Sequence, residues 1–155
     1  MNTARDVCTF FLDGHLFGVD VVEVQEIIRP QRITRVPLAP PAVAGLLNVR
    51  GQLVTAIDLR TRLDLPPRPP ETAPMNIVVR TADGAVSLLV DAVGDVVEIA
   101  DDACEPTPPT LRAAARELIR DVVKLRDQLL IRLDTAAVIA IASGTFSKPT
   151  QHQTI

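Results

Sequence analysis

Two stretches of this chain repeat one another, and the repeat limits the fold more than any other feature. Asn48-Val49-Arg50-Gly51-Gln52-Leu53-Val54-Thr55-Ala56-Ile57-Asp58 lies over Lys124-Leu125-Arg126-Asp127-Gln128-Leu129-Leu130-Ile131-Arg132-Leu133-Asp134, with Arg, Gln, Leu and Asp coincident and most apolar positions matched. Ahead of each stretch stands the same device, a pair of short apolar runs around Asp-Gly. Val7 to Leu12 and His15 to Asp20 flank Asp13-Gly14; Met75 to Arg80 and Ala85 to Asp91 flank Asp83-Gly84. Asp-Gly between such runs favours the positive-φ backbone of a tight hairpin turn. Each half therefore predicts one small β unit of about five strands. Short strands joined by tight turns tend to close, because closure removes exposed sheet edges. The expected architecture is all-β with minor helix, two small barrels packed side by side.

Proline marks the crossover. Pro66, Pro67, Pro69, Pro70 and Pro74 fall within nine residues, and neither a helix interior nor a central strand holds that density of fixed φ and missing donors. The expected division is a single domain over 7–142 made of two subdomains, about 7–65 and 75–142, with exchange of terminal segments between them allowed, and a flexible tail over 143–155. Pro106, Pro108 and Pro109 predict a second loop. Between these breaks, Leu46 to Val49 and Leu53 to Ile57 read as strands joined at Gly51, and Ile119 to Leu125 and Leu129 to Leu133 as another pair. Val19 to Ile28 predicts a short helix with Val21, Val24, Gln25 and Ile28 on one face, Leu111 to Leu118 a second, and Thr135 to Ala142 a closing helical turn.

Composition closes several function classes. The chain has 155 residues, 47% of them hydrophobic, with no Trp or Tyr, so its core is built from aliphatic side chains. A net charge of −3 gives no electrostatic footprint for nucleic acid. No apolar run approaches the roughly 20 residues of a membrane span, and Met1 to Asp6 lacks the apolar stretch of a signal peptide. Cys8 and Cys104 stand far apart without metal-ligand spacing and read as free thiols of a cytosolic protein.

The residue types that carry chemistry show no reactive centre. His15 sits beside a hairpin turn and His152 in the tail, neither with a ligand at zinc spacing. No nucleophile-elbow pattern surrounds Ser87 or Ser143, and the seven glycines form no phosphate loop. Asp58 and Asp134 recur at matching repeat positions before helical segments and read as N-caps. A binding module fits this profile better than an enzyme or a small-ligand pocket, which would need convergent polar groups in a deep cavity.

Gly45-Leu46-Leu47-Asn48-Val49-Arg50-Gly51, with the apolar strand and Asp58-Leu59-Arg60 that follow, resembles the CheW family of chemotaxis coupling proteins. Phe17-Gly18-Val19-Asp20 running into Val24-Gln25-Glu26-Ile27, and Val90-Asp91-Ala92-Val93-Gly94-Asp95-Val96, resemble two further segments of that family. The likeness covers roughly Val7 to Ala142. It departs at Val49, where Leu is commoner, at Thr55, where many relatives carry Pro, and in the Pro-rich crossover.

The resemblance implies two SH3-like five-stranded β-barrels and no enzymatic activity, and the residue spacings leave no cofactor or metal expected. It implies a cytoplasmic adaptor, at receptor arrays on the inner face of the membrane without inserting into it. Its partners would be the cytoplasmic tip of a methyl-accepting chemoreceptor and the regulatory domain of a CheA-type histidine kinase. An array controlling pili, surface motility or gene expression is the alternative output. Carried over by position, the receptor-binding groove comprises Val24, Glu26, Ile27, Asn48, Arg50, Val93 and Val96, with Glu26 as the partner of Arg50. The kinase-facing surface comprises Val43, Gly45, Leu47, Leu53 and Thr55. Arg29, Arg32 and Arg35 form a cationic run in a loop, a solvated face or a second protein contact.

Overall fold

The computed structural model describes residues 4–106 and 113–143. The tail beyond Ser143, Pro108, Pro109 and the first two residues of the helix expected over 111–118 lie outside the described residues. In chain order the elements are β1 (Ala4–Leu12), β2 (His15–Asp20), a 3-10 turn (Val21–Glu23), β3 (Val24–Ile28), β4 (Val43–Val49), β5 (Gln52–Asp58) and α1 (Leu59–Arg62). There follow β6 (Met75–Thr81), β7 (Gly84–Val90), β8 (Ala92–Ala100), a 3-10 turn (Asp101–Ala103), β9 (Cys104–Glu105), α2 (Ala113–Arg116), β10 (Ile119–Lys124), β11 (Leu129–Leu133) and α3 (Thr135–Ser143).

The strands form two sheets, one ordered β8-β1-β2-β11-β10-β9 and the other β3-β6-β7-β5-β4. They share one plan. In each, an antiparallel hairpin, β1–β2 or β6–β7, pairs through its second strand in parallel with the last strand of another hairpin, β11 or β5. The turns explain the hairpins: Asp13 and Gly14 both have positive φ, as do Arg50 and Gly51, which is what a two-residue turn matched to strand twist requires.

The sheets do not divide the chain at the prolines. β3 follows the first hairpin but pairs with β6, and β8 follows the second hairpin but pairs with β1. The split at 7–65 and 75–142 is therefore cut across by the strand pairing: one sheet takes β3 to β7, and the other takes β1, β2 and β8 to β11. Two sequence expectations also fail locally. Val19 to Ile28 is not a helix; β2 runs on to Asp20, a 3-10 turn intervenes, and β3 begins at Val24. Val21, Val22, Val24, Ile27 and Ile28 are β-branched, and the chance of a partner strand outweighs a helical spacing of four apolar positions. The nine-residue β8 was not foreseen as a strand.

Both sheets curl closed. β8 and β9, at opposite ends of one sheet, are consecutive through the turn Asp101–Ala103. In the other, the segment leaving β3 returns as a single bridge, Thr34 to Leu46 of β4, with both hydrogen bonds at 2.8 Å. Each barrel has a small interior: Val7, Leu16, Ile99, Val123 and Leu130 in one, Leu47, Val49, Val54, Ala56, Val78 and Leu89 in the other. The largest core lies between them, where Phe10, Phe17 and Val19 meet Ile57, Ile77, Val79 and Leu88.

Candidate functional site

Glu26 and Arg50 meet. Glu26 stands on β3 and Arg50 at the tip of the β4–β5 turn, opposite ends of the five-stranded sheet that closure brings together. Arg50 Nε donates to Glu26 Oε1 at 3.1 Å and to Oε2 at 3.2 Å, and Nη2 lies 3.1 Å from Oε1. The Arg50 side chain is 80% exposed and that of Glu26 17%. Hydrogen bonds from Arg50 hold the Glu26 carboxyl below its ordinary pKa, and the same contact raises that of the guanidinium. The turn sets the Arg50 backbone at φ +52, a conformation a residue with a Cβ adopts at some cost.

The other receptor-facing candidates are placed differently. The Asn48 side chain serves the turn, its Oδ1 accepting from the Gly51 amide at 2.8 Å. Val24 on β3 and Val93 on β8 are half-buried, packed along the rim of the core between the barrels. Ile27 is 41% exposed and Val96 60%, so each edge strand offers an apolar side chain to solvent. Val22, at 81% exposure in the turn before β3, was missed by the sequence reading. The expected helix over Val19 to Ile28 put it off the face of Val21, Val24, Gln25 and Ile28, and that helix is not formed.

The kinase-facing set is mostly interior. Val43, Gly45, Leu47 and Thr55 are buried, and Leu53 alone of the five is exposed, at 38%. Thr55 lies on β5, which is covered on both faces, by the barrel interior on one and by the inter-barrel core and α3 on the other; Val43, Gly45 and Leu47 lie on β4. Gly45 has a packing role: a Cβ there would lie 2.2 Å from the Thr34 carbonyl oxygen, at φ +148. Of the five, Leu47 lies in the interior of the five-stranded barrel, and Thr55 faces away from it, on the opposite side of β5 from Val54 and Ala56.

Two buried charge clusters escaped the sequence reading. Asp20 ends β2 and receives Arg132 Nη1 at 2.9 Å, Arg120 Nη1 at 3.2 Å and Arg5 Nη1 at 3.3 Å. Asp91, the residue after β7, receives Arg60 Nη2 at 2.6 Å and Arg68 Nε at 3.0 Å. Arg60 Nη1 also donates to the carbonyl oxygens of Pro66 and Pro67, so this cluster pins the Pro-rich crossover. The expected caps are present: Asp58 Oδ1 accepts from the Arg60 amide at 3.1 Å and Asp134 Oδ1 from the Ala137 amide at 3.3 Å. Ser87 is buried and donates to Asn76 Oδ1 at 2.9 Å, a packing contact. Cys8 and Cys104 are unpaired, and burial pushes the Cys8 thiol up. Among the described residues no three potential ligands gather to hold a metal, and no helix is long and apolar enough to cross a membrane.

Comparison with known proteins agrees with this geometry. The family model of the CheW-like domain matches residues 6–143. The chain is 29% identical over 151 residues to the chemotaxis protein CheW of Bacillus subtilis, covering 97% of each chain. It is 30% identical over 113 residues to protein PilI of Pseudomonas aeruginosa, covering 73% of this chain and 64% of that one. A crystal structure of the scaffolding protein TtCheW from Thermoanaerobacter tengcongensis superposes with a TM-score of 0.77 at 27% identity, covering 85% of each chain. Because that family model spans nearly the whole of it, the chain belongs to the CheW-like domain family.

Proposed function

We propose that this chain is a non-enzymatic adaptor that holds the regulatory domain of a CheA-type histidine kinase against the cytoplasmic tip of a methyl-accepting chemoreceptor, at arrays on the inner face of the membrane. The observation that carries the reading is the Arg50–Glu26 pair at the surface, with Ile27 exposed on the other face of β3 and Val24 and Val93 along the rim of the core between the barrels. A helical hairpin docks by laying an apolar stripe in such a cleft, and valines lose little rotamer freedom when covered. The kinase contact is assigned to the five-stranded barrel around Leu53, where Val43, Gly45, Leu47 and Thr55 hold the surface in shape. Occupying two faces at once raises the effective concentration of kinase at the receptor, and signal passes as a shift in packing. The likeness to protein PilI favours, as a second reading, the same adaptor role in a chemosensory array with another output, such as pili or surface motility.

The test is Arg50→Ala in the full chain. It is expected to stay folded in a thermal melt, to bind the purified kinase regulatory domain as before, and to lose most binding to receptor-containing membranes in a pulldown. Undiminished receptor binding by the folded variant removes Arg50 from the site. A wild-type chain that binds no kinase regulatory domain from its own gene neighbourhood overturns the coupling role.

A further inference from the structure

Burial along the crossover from α1 to β6 repeats every third residue. Leu65 and Arg68 are partly covered, while Pro66, Pro67, Pro69 and Pro70 are exposed. Three residues per turn is the repeat of a polyproline II helix, and the residue types enforce that conformation. Each proline fixes its own φ at about −65°. Leu65, Pro66, Arg68 and Pro69 each precede a proline, which pushes them to extended backbone. Every peptide bond of the segment is trans. The segment therefore has three edges. Leu65 and Arg68 form the edge turned to the protein; Pro66 with Pro69, and Pro67 with Pro70, form the two turned to solvent.

The inward edge is anchored along its length. Leu65 packs against the core shared by the barrels, and its amide donates to the Arg60 carbonyl at 2.7 Å. The Arg68 side chain is 10% exposed; its Nε donates to Asp91 Oδ1 at 3.0 Å and its Nη2 lies 3.8 Å from Asp58 Oδ1. Arg60 Nη1 holds the Pro66 and Pro67 carbonyls at 2.9 and 3.3 Å. At the far end the Pro69 carbonyl accepts from the Thr72 amide at 3.1 Å and from its hydroxyl at 2.8 Å, which closes the segment with a turn. A linker has only to span a gap. Here two covered arginines fix which face of the chain is shown, and that face is four proline rings.

Proline edges on an ordered polyproline II segment are what a groove lined by aromatic side chains recognises. A segment already held in that conformation has little freedom left to lose on binding. We propose that residues 65–70 are a preformed polyproline II ligand whose partner is another protein with an aromatic-lined groove, of the kind that SH3, WW and EVH1 domains present. A second copy of this chain does not supply the groove: the sequence has no Trp or Tyr, and Phe10 and Phe17 are buried in the core. The contact uses none of Arg50, Glu26 and Leu53 and stands whether or not the receptor and kinase readings do.

Titration of the nitrogen-15-labelled full chain with three purified probes, an SH3, a WW and an EVH1 domain, tests it. At least one probe is expected to bind, moving the amides of Leu65, Arg68, Glu71 and Thr72 ahead of all others. Pro66→Ala/Pro69→Ala and Pro67→Ala/Pro70→Ala each remove one exposed edge. Both are expected to keep the wild-type thermal melt and to bind about fivefold more weakly or worse. If either fails to fold, Pro69→Ala replaces it and is expected to weaken binding about twofold or more. No binding to any of the three probes at about 1 mM overturns the proposal, as does binding that moves other amides first or that both edge variants retain. A peptide of residues 65–74 that binds a probe the folded chain does not bind would show that the anchored edge is the one required, and overturns it as well.

Discussion

At the scale of single residues, the same side-chain type does opposite work in this molecule. Arg50 is held out by a left-handed turn and spends its charge at the surface, whereas Arg132 and Arg60 are almost fully covered and exist to satisfy carboxylates. Arg suits both tasks, because a planar fork accepts bidentate pairing and stays charged when covered. The covered pairs make stability depend on pH. At Asp91 burial pushes the carboxyl pKa up, but hydrogen bonds from Arg60, the Asp13 amide and Arg68 outweigh it and hold it below the ordinary value; at Asp121 burial is likewise outweighed by Arg132. A carboxyl that binds its proton more weakly folded than unfolded stabilises fully above the unfolded value, near pH 4, and loses that contribution as pH falls through the folded value. The urea midpoint of the native chain is therefore expected to be flat from neutrality to about pH 5 and to fall below about pH 4. Asp91→Asn is expected to be less stable at neutral pH and to decline less steeply in acid. Equal acid slopes for the two proteins would remove Asp91 from the response.

At the scale of elements, closure of the five-stranded barrel rests on one glycine. The bridge between Thr34 and Leu46 passes so close to Gly45 that any Cβ would overlap the Thr34 carbonyl. Gly45→Ala combines that overlap with a backbone angle unsuited to a side chain, and is expected to cost about 1–3 kcal/mol. The urea midpoint should fall, and the amides of Thr34 and Leu46 should lose protection from exchange first. An unchanged midpoint would show that the bridge adjusts freely. The elements also show what a sequence pattern can and cannot carry. Hairpins were legible because Asp13-Gly14 and the strands beside it specify their own turn, and the repeat was legible because Arg50 and Arg126 recur at matched places. The fates of β3 and β8 were not, since which sheet a strand joins depends on partners fifty and ninety residues away, to which local periodicity is blind. The Glu26–Arg50 meeting was expected from family likeness and is seen in the geometry. The burial of Val43, Gly45, Leu47 and Thr55 was hidden, because Gly45, Asn48 and Thr55 interrupt the continuous apolar run that marks a strand covered on both faces.

At the scale of the whole molecule, the exchange of β3 and β8 decides how the protein comes apart. Neither sheet is complete without a strand that follows the other's hairpin, and the largest core belongs to both barrels. Strand pairing and a shared core therefore join the two barrels into one body. Phe10 is the place to test this. It is fully buried in the shared core and lies opposite Phe17 on the neighbouring strand, ring centroids 6.3 Å apart. Phe10→Leu keeps the site apolar, sacrifices the ring contact and is expected to cost about 0.5–3 kcal/mol. Two independent barrels would answer with two melting transitions, one displaced and one unmoved. A single cooperative body answers with one transition, its calorimetric and van't Hoff enthalpies equal, shifted as a whole. Amide exchange extends the test to individual strands: protection in β4 and β5, on the barrel that does not contain Phe10, should fall by the same factor as in β1 and β2. Unchanged protection in β4 and β5 would mean that the barrels unfold separately, and that a signal crosses between them only through side-chain contacts at the shared core.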